Sequence, residues 1–284
     1  METTIYNSQL TAHINPVGAE LVSLANNKNK QEYIWDGNPA FWGKHAPVLF
    51  PIVGTLKDNS YYCNDGKYSL SRHGFARDLK FELLNQSSNQ VIYSLKYTYD
   101  TLKKYPFKFE LQITYTLVEF TLYVGFQIFN LDTQTIPFSI GAHPAFALSD
   151  NFENYSLQFE TQETLKCFSL KNDLLTSKTN NIDLINKKLP LTYSIFQNDA
   201  LIMKSLKSEF ITIIECEKPI LKVTFKDFHN LGIWTKKNAA FICIEPWLGY
   251  SDLENTTGTI FEKEGIQILA ENKSFECEYS IEIL

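Results

Sequence analysis

Apolar and polar residues alternate along this chain with a period of two. From Phe107 to Leu117 every odd position is apolar: Phe107, Phe109, Leu111, Ile113, Tyr115 and Leu117. Lys108, Glu110, Gln112, Thr114 and Thr116 fill the gaps. Successive side chains of an extended chain point to opposite faces, so this spacing predicts a strand with one buried face and one wet face. Val91-Tyr93-Leu95-Tyr97-Tyr99 and Phe275-Cys277-Tyr279-Ile281-Ile283 repeat the pattern, and shorter versions fall at 79–84, 122–129, 156–159, 210–216 and 221–225. Turn-forming clusters of Asn, Asp, Gly and Lys separate them, at 64–66, 85–89, 171–173 and 178–181. No segment keeps apolar residues at i, i+3, i+4 and i+7 for three turns.

Many antiparallel strands without helices predict an all-β fold of stacked sheets or a barrel. No linker, composition break or internal repeat divides the chain. The expectation is therefore one large antiparallel β-sandwich domain spanning residues 1–284. It is more than twice as long as an immunoglobulin-type sandwich of about 100 residues, so its sheets must be wide or strongly curved. A curved sheet has a concave face, and a concave face can hold a ligand.

Composition narrows the partners. Fourteen per cent of the residues are aromatic, which favours sheet. The net charge is -6, from 26 basic and 32 acidic residues, and no basic cluster stands out. Nucleic acid and anionic membrane are excluded as expected partners on that ground. Cys63, Cys167, Cys216, Cys243 and Cys277 are dispersed without a CxxC pair, so neither a zinc knuckle nor a disulfide framework is indicated. Dispersed thiols suit a reducing compartment. The first residues, Glu2-Thr3-Thr4-Ile5-Tyr6, lack a signal peptide's basic start and apolar core, and no apolar run approaches about 18 residues. A soluble cytoplasmic protein is expected.

Three side chains stand out as candidate chemistry. His143 lies in Pro137-Phe138-Ser139-Ile140-Gly141-Ala142-His143-Pro144-Ala145-Phe146. Gly141 and Ala142 leave room for another molecule to approach the backbone, and Pro144 biases His143 toward an extended conformation. Such a ring points into a packed core or into a pocket. His73 lies in Ser71-Arg72-His73-Gly74-Phe75-Ala76-Arg77-Asp78, and its plain reading is a loop histidine held by a carboxylate. Glu245 follows the apolar strand Phe241-Ile242-Cys243-Ile244, sharing a face with Phe241 and Cys243 where Pro246 is expected to stop the ladder. Partial burial there would raise its pKa and suit a general base; the plain alternative is a strand-end ion pair with Lys236 or Lys237. Together the three admit a catalytic zinc site, a general acid/base pair with a helper, or the polar fixtures of a binding site without turnover. Zinc sites usually take two ligands from a short local motif, which is missing here, so acid/base chemistry is preferred and no metal is expected.

At this point the chain resembles the aldose 1-epimerases (galactose mutarotases), and within them the LacX-like branch. The resemblance rests on Gly18-Ala19-Glu20-Leu21-Val22-Ser23-Leu24, Tyr33-Ile34-Trp35-Asp36-Gly37, Phe41-Trp42 and Val48-Leu49-Phe50-Pro51-Ile52-Val53-Gly54. Arg72 to Asp78, Gly141 to Phe146, and Leu231-Gly232-Ile233-Trp234 through Cys243-Ile244-Glu245-Pro246-Trp247 complete it, in the family's order. The resemblance implies a galactose mutarotase-like supersandwich with an open sugar-binding face, and cofactor-free interconversion of the α and β anomers of an aldohexose. By motif match Glu245 would take the proton from the anomeric hydroxyl, His143 would donate to the ring oxygen, and His73 would support the developing charge. Asp199 matches a position that binds sugar hydroxyls, and Trp247 would stack on the sugar ring unless it is core. After Gly54 the family typically carries an arginine that contacts substrate, whereas Thr55 stands here. Lys57 and Arg77 are the candidate replacement donors. Arg77 also resembles the arginine of hexose-6-phosphate mutarotases, which makes a phosphosugar the second substrate reading. A carbohydrate-binding or regulatory protein without turnover is the third. The expected partner is thus a small-molecule sugar, with the chain a monomer or weak homodimer.

Overall fold

The computed structural model describes residues 2–284. Alternation becomes sheet where it is strictest. Phe109–Val118 buries each odd position through Leu117 and leaves the even ones wetter. It pairs on one side with Thr121–Asn130 and on the other with Gln90–Lys96. These strands lie in a nine-stranded antiparallel sheet, which continues through Ser274–Ile283, Lys218–Thr224, Phe210–Glu215 and Tyr155–Phe159 to Lys188–Pro190, with Glu82–Gln86 at the opposite edge.

A second, eight-stranded sheet carries Glu245. Its order is Leu174–Asp183, Thr164–Lys171, Leu201–Lys204, Asn230–Trp234, Phe241–Leu248, Ile140–Ala142 and Val48–Leu49, with Ala145–Ala147 also beside Phe241–Leu248. Phe241–Leu248 is buried throughout, and alternation divides its side chains between two environments. Ile242 and Ile244 join the main core, together with Leu111 and Ile113 of the nine-stranded sheet. Phe241 and Cys243 face away from that core, into a smaller cluster with Trp35. Glu245 follows them on that second face. The architecture is the expected large antiparallel β-sandwich.

Four local expectations are corrected. The 178–181 cluster is not a turn but lies within the strand Leu174–Asp183. The 91–99 alternation stops at Lys96, and Tyr99 is exposed at the start of a one-turn helix, Tyr99–Leu102. Thr98 and Thr101 make a reciprocal capping box there, which the apolar spacing alone does not reveal. The 79–84 run is not a continuous strand. Lys80 bridges to Val17, and the strand begins at Glu82 as an exposed edge with a bulge between Leu83 and Asn85. Finally, Pro246 does not end its strand, which runs on to Leu248. The Ile244 N–H donates to the Pro144 carbonyl, so Pro246, two residues on, turns its nitrogen to the same side. The neighbouring chain is interrupted there, between Ala142 and Ala145, so the missing donor costs little. Among the described residues no helix is long and apolar enough to cross a membrane.

Candidate active site

That interruption is where the site forms. His143 sits in the gap between Ile140–Ala142 and Ala145–Ala147, both of which pair with Phe241–Leu248. The gap delivers its ring to Glu245, with His143 Nε2 3.2 Å from Glu245 Oε2. Glu245 is 2% exposed and His143 8%. Neither alternative for Glu245 survives: Lys236 Nζ donates to the Phe41 carbonyl instead, and among the described residues neither Lys236 nor Lys237 pairs with Glu245. His143 is not a core histidine satisfied by the backbone either, because Nδ1 is buried without a hydrogen-bond partner.

His73 arrives from a different element. The Phe50 carbonyl accepts from the Phe75 and Ala76 N–H groups, drawing the 72–78 loop onto the end of Val48–Leu49. This approach requires Gly74, which has φ +73°, and a Cβ there would stand 2.2 Å from the Phe50 carbonyl oxygen. The His73 ring centroid then lies 5.8 Å from that of His143, edge to face. No carboxylate holds His73. The Gly54 N–H donates to Nδ1 at 3.1 Å, and Arg72 Nε lies 3.3 Å from Nε2.

Around these groups is a cavity of about 510 Å³, lined among others by Arg72, Arg77, Asp199, Trp42, Trp234 and Trp247. Trp42 stacks on the His143 ring, with centroids 4.7 Å apart and planes 26° apart. The loop bearing Trp42 is tied down: the Trp35 indole donates to its carbonyl, and Glu20 accepts from the His45 and Ala46 N–H groups. Asp199 has φ 89° and closes its own turn by accepting from the Ala200 N–H, so it is both a turn residue and a wall of the cavity. Arg77 reaches the cavity with its Nη2 on the Arg72 carbonyl, while its buried Nε makes no hydrogen bond and has Asp78 Oδ2 3.7 Å away. Lys57 does not line the cavity; its Nζ donates to the Glu254 carbonyl.

The space beside Gly141 does not serve a visiting molecule. A Cβ at Gly141 would lie 2.7 Å from the Trp247 ring, and one at Gly232 would lie 2.5 Å from it. The two glycines instead form the slot in which the Trp247 indole is packed. Trp247 is thus mostly core and presents a restricted surface to the cavity, with its buried Nε1 lacking an acceptor.

Burial sets the electrostatics. It pushes the Glu245 carboxyl well above the ordinary range, opposed by Arg72 and reinforced by Asp199. It draws His143 down to about 3, opposed by an interaction with its own backbone and reinforced by Arg72 and Arg77. His73 is drawn well below its usual value by burial, then by His143 and the two arginines. At neutral pH both rings are therefore neutral, and Glu245 holds the proton that it shares with His143. His143, Cys243 and Glu245 each place a ligand atom within 4.8 Å of the others, without His73. Burial also lifts the Cys243 thiol well above its usual range, so a cation would have to displace protons from two buried groups.

Comparison with known proteins decides the family. The family model described as Aldose 1-epimerase matches residues 1–260. The chromosomal protein LacX of Lactococcus lactis subsp. lactis is 36% identical over 267 residues, covering 88% of this chain and 89% of LacX. The chain belongs to the aldose 1-epimerase family. A galactose mutarotase related enzyme from Lactobacillus acidophilus superposes on this epimerase-family chain with a TM-score of 0.95. It is 31% identical and the match covers 100% of this chain and 97% of that one. A galactose mutarotase-like protein from Lactobacillus casei gives a TM-score of 0.93 at 30% identity, with both chains fully covered. Against the usual epimerase arginine, Thr55 is buried, with its Oγ1 unpartnered. The cation beside His73 here is Arg72, which stands in its sequence motif without an assigned role. Its place directly before that histidine was the available signal. Trp42 was legible only as part of a family block.

Proposed function

We propose that this chain is a mutarotase that opens and recloses the ring of an aldohexose, with His143 and Glu245 as a one-proton acid/base pair. The observation that carries this reading is their 3.2 Å contact, buried yet bordering a sugar-sized cavity.

Ring opening removes the proton from the anomeric O1–H and delivers one to the ring oxygen O5. Glu245 as carboxylate takes the first while the O–H electrons become the C1=O1 π bond. The C1–O5 bond breaks, and O5 takes its proton from the His143 imidazolium. Glu245 is then protonated and His143 neutral, which is the distribution that burial favours. Rotation about C1–C2 exposes the other face of the aldehyde, and reclosure runs the same transfers backwards. The pair gains and loses no proton over the cycle, so no cofactor is needed. His73 assists as a donor: its Nδ1 is committed to the Gly54 N–H, so the neutral ring carries its proton on Nε2, toward a substrate oxygen. Asp199 and Arg77 supply further contacts to sugar hydroxyls.

The test is polarimetry or NMR on freshly dissolved α-glucose and α-galactose. Wild type should speed relaxation of the anomers, and Glu245→Gln should lose about 10²–10⁴-fold of that rate. Equal, slow relaxation with both would end the reading for those sugars. One observation favours a second substrate: two arginines, Arg72 and Arg77, line the cavity. Glucose 6-phosphate therefore belongs in the same assay. The unpartnered Thr55 at the arginine position supports a sugar-binding protein without turnover, for which calorimetry would show binding while anomer relaxation stays uncatalysed.

A further inference from the structure

Arg72 is placed where its hydrogen-bonding geometry is incomplete. The backbone N–H of Gly54 cannot turn away from His73 Nδ1, so that nitrogen is the acceptor and Nε2 bears the proton. Arg72 Nε, also an N–H donor, lies 3.3 Å from the same Nε2. Two donors therefore face each other inside the cavity, and neither can satisfy the other. An acceptor oxygen within reach of both would resolve the conflict.

Arg72 is also held from outside. Its Nη1 lies 3.2 Å from Asp173 Oδ1. Asp173 and Asn172, both at positive φ, form the tip joining Thr164–Lys171 to Leu174–Asp183. The same hairpin contributes Leu170 to the cavity wall, and the Leu175 N–H donates to the Asp252 carbonyl. The hairpin tip is thus anchored at the cavity mouth, and its carboxylate aims the guanidinium inward. Thr55, in contrast, carries no charge to offer.

We propose that Arg72 is a substrate-binding residue which, together with His73 Nε2–H, holds one acceptor oxygen of the sugar, and that Asp173 is the positioning residue that sets its aim. This rests on the mutarotase reading for its substrate, yet its test does not need turnover. Arg72 and Asp173 side chains are about half exposed, so their substitution leaves the core intact.

Arg72→Met, Arg72→Lys and Asp173→Asn would be compared with wild type. KM and kcat would be read from anomer relaxation, and Kd from calorimetry with galactose, glucose and glucose 6-phosphate. A hydrogen bond from a charged donor contributes about 1.5–3 kcal/mol, so Arg72→Met should raise KM and Kd about 10–100-fold. Arg72→Lys should recover part of that loss, since it keeps the charge but not the fork. Asp173→Asn should weaken binding only about 2–5-fold, because the donor survives and only its aim is loosened. KM and Kd within about twofold of wild type for Arg72→Met, on every sugar that wild type binds, would overturn the proposal. A wild type that binds a sugar but never speeds its anomerisation would end the mutarotase reading, and the Kd comparison would still decide Arg72. A wild type that binds none of the three sugars would overturn both.

Discussion

Among the described residues two ion-pair contacts are buried on both sides, and they are built in opposite ways. Lys263 Nζ lies 2.8 Å from Asp252 Oδ1 and also donates to the Tyr250 carbonyl. The other oxygen of Asp252 accepts from the Lys57 N–H. Burial draws the Lys263 ammonium below its ordinary range, and Asp252 opposes that pull. The His143–Glu245 pair is just as buried, yet His143 Nδ1 is left without a partner and a cavity opens beside the contact. In the first pair both charged groups are hydrogen-bonded, and the pair ties the 250–252 segment to the loop that follows Gly54. The other is open and unsaturated. A buried polar group with all its partners reads as structure; one with vacant hydrogen-bonding capacity beside a cavity reads as chemistry.

The comparison breaks most sharply at Lys263. Lys263→Met removes one charge and strands the Asp252 carboxylate in the interior. Loss of one partner from a buried pair costs about 3–5 kcal/mol, which should lower Tm by about 6–15 °C. The rate per folded molecule should hold within a few-fold well below the transition, since neither residue touches the cavity rings. Urea unfolding followed by tryptophan fluorescence reads the first quantity and anomer relaxation the second. A loss under about 1 kcal/mol would show that the pair is not the structural element described here.

Glu245→Gln should act with the opposite sign on stability. In the unfolded chain Glu245 loses its proton above about pH 4.5, whereas the folded chain keeps it. Stability therefore falls as pH rises through that window, and glutamine removes the dependence. The variant should match wild type below about pH 4.5 and exceed it by about 2–5 °C in Tm at neutral pH, while losing activity. His143 and His73 add the mirror-image effect: below about pH 6.5 the unfolded chain binds protons that the buried rings refuse, so stability falls as pH falls. Melting curves from pH 4 to 8 check both slopes. A Glu245→Gln chain less stable than wild type at pH 7 would show that the carboxyl is not held protonated by burial.

How much of this could be read from the residues follows the same division. Most of the nine-stranded sheet was legible because its long strands have one wet face, as Phe107 to Leu117 shows residue by residue. Phe241–Leu248 was readable as a strand but not in its length, because Pro246 is tolerated only through a break in a neighbour about 100 residues earlier in the chain. His73, His143 and Glu245 could be named from the sequence, and the structure brings all three together. Lys57 could be named too, but it points to Glu254. Arg72 and Trp42 could not be ranked, because their importance lies in what they face rather than in local spacing. Gly141 was read as an approach for a ligand when its space belongs to Trp247, an error that side-chain packing alone could correct.

The smallest expected effect lies at Trp42, and it tests how far the open pair depends on its wall. Ring opening needs His143 as imidazolium, the form that burial disfavours. The indole stacked at 4.7 Å offers that cation a π face, a contribution of about 0.5–2 kcal/mol when desolvated. Trp42→Leu keeps apolar bulk but loses the face, so kcat should fall about 2–20-fold while Tm changes little. Because a cation loses its stabilising neighbour, His143 should become harder to protonate, and the acid limb of the kcat–pH profile should move to lower pH. Trp42→Phe, which retains a weaker face, should lie between wild type and leucine in both measurements. A uniform loss of kcat in Trp42→Leu with the acid limb unmoved would assign Trp42 to packing alone, and the imidazolium would then owe its access to the bound sugar and to Glu245.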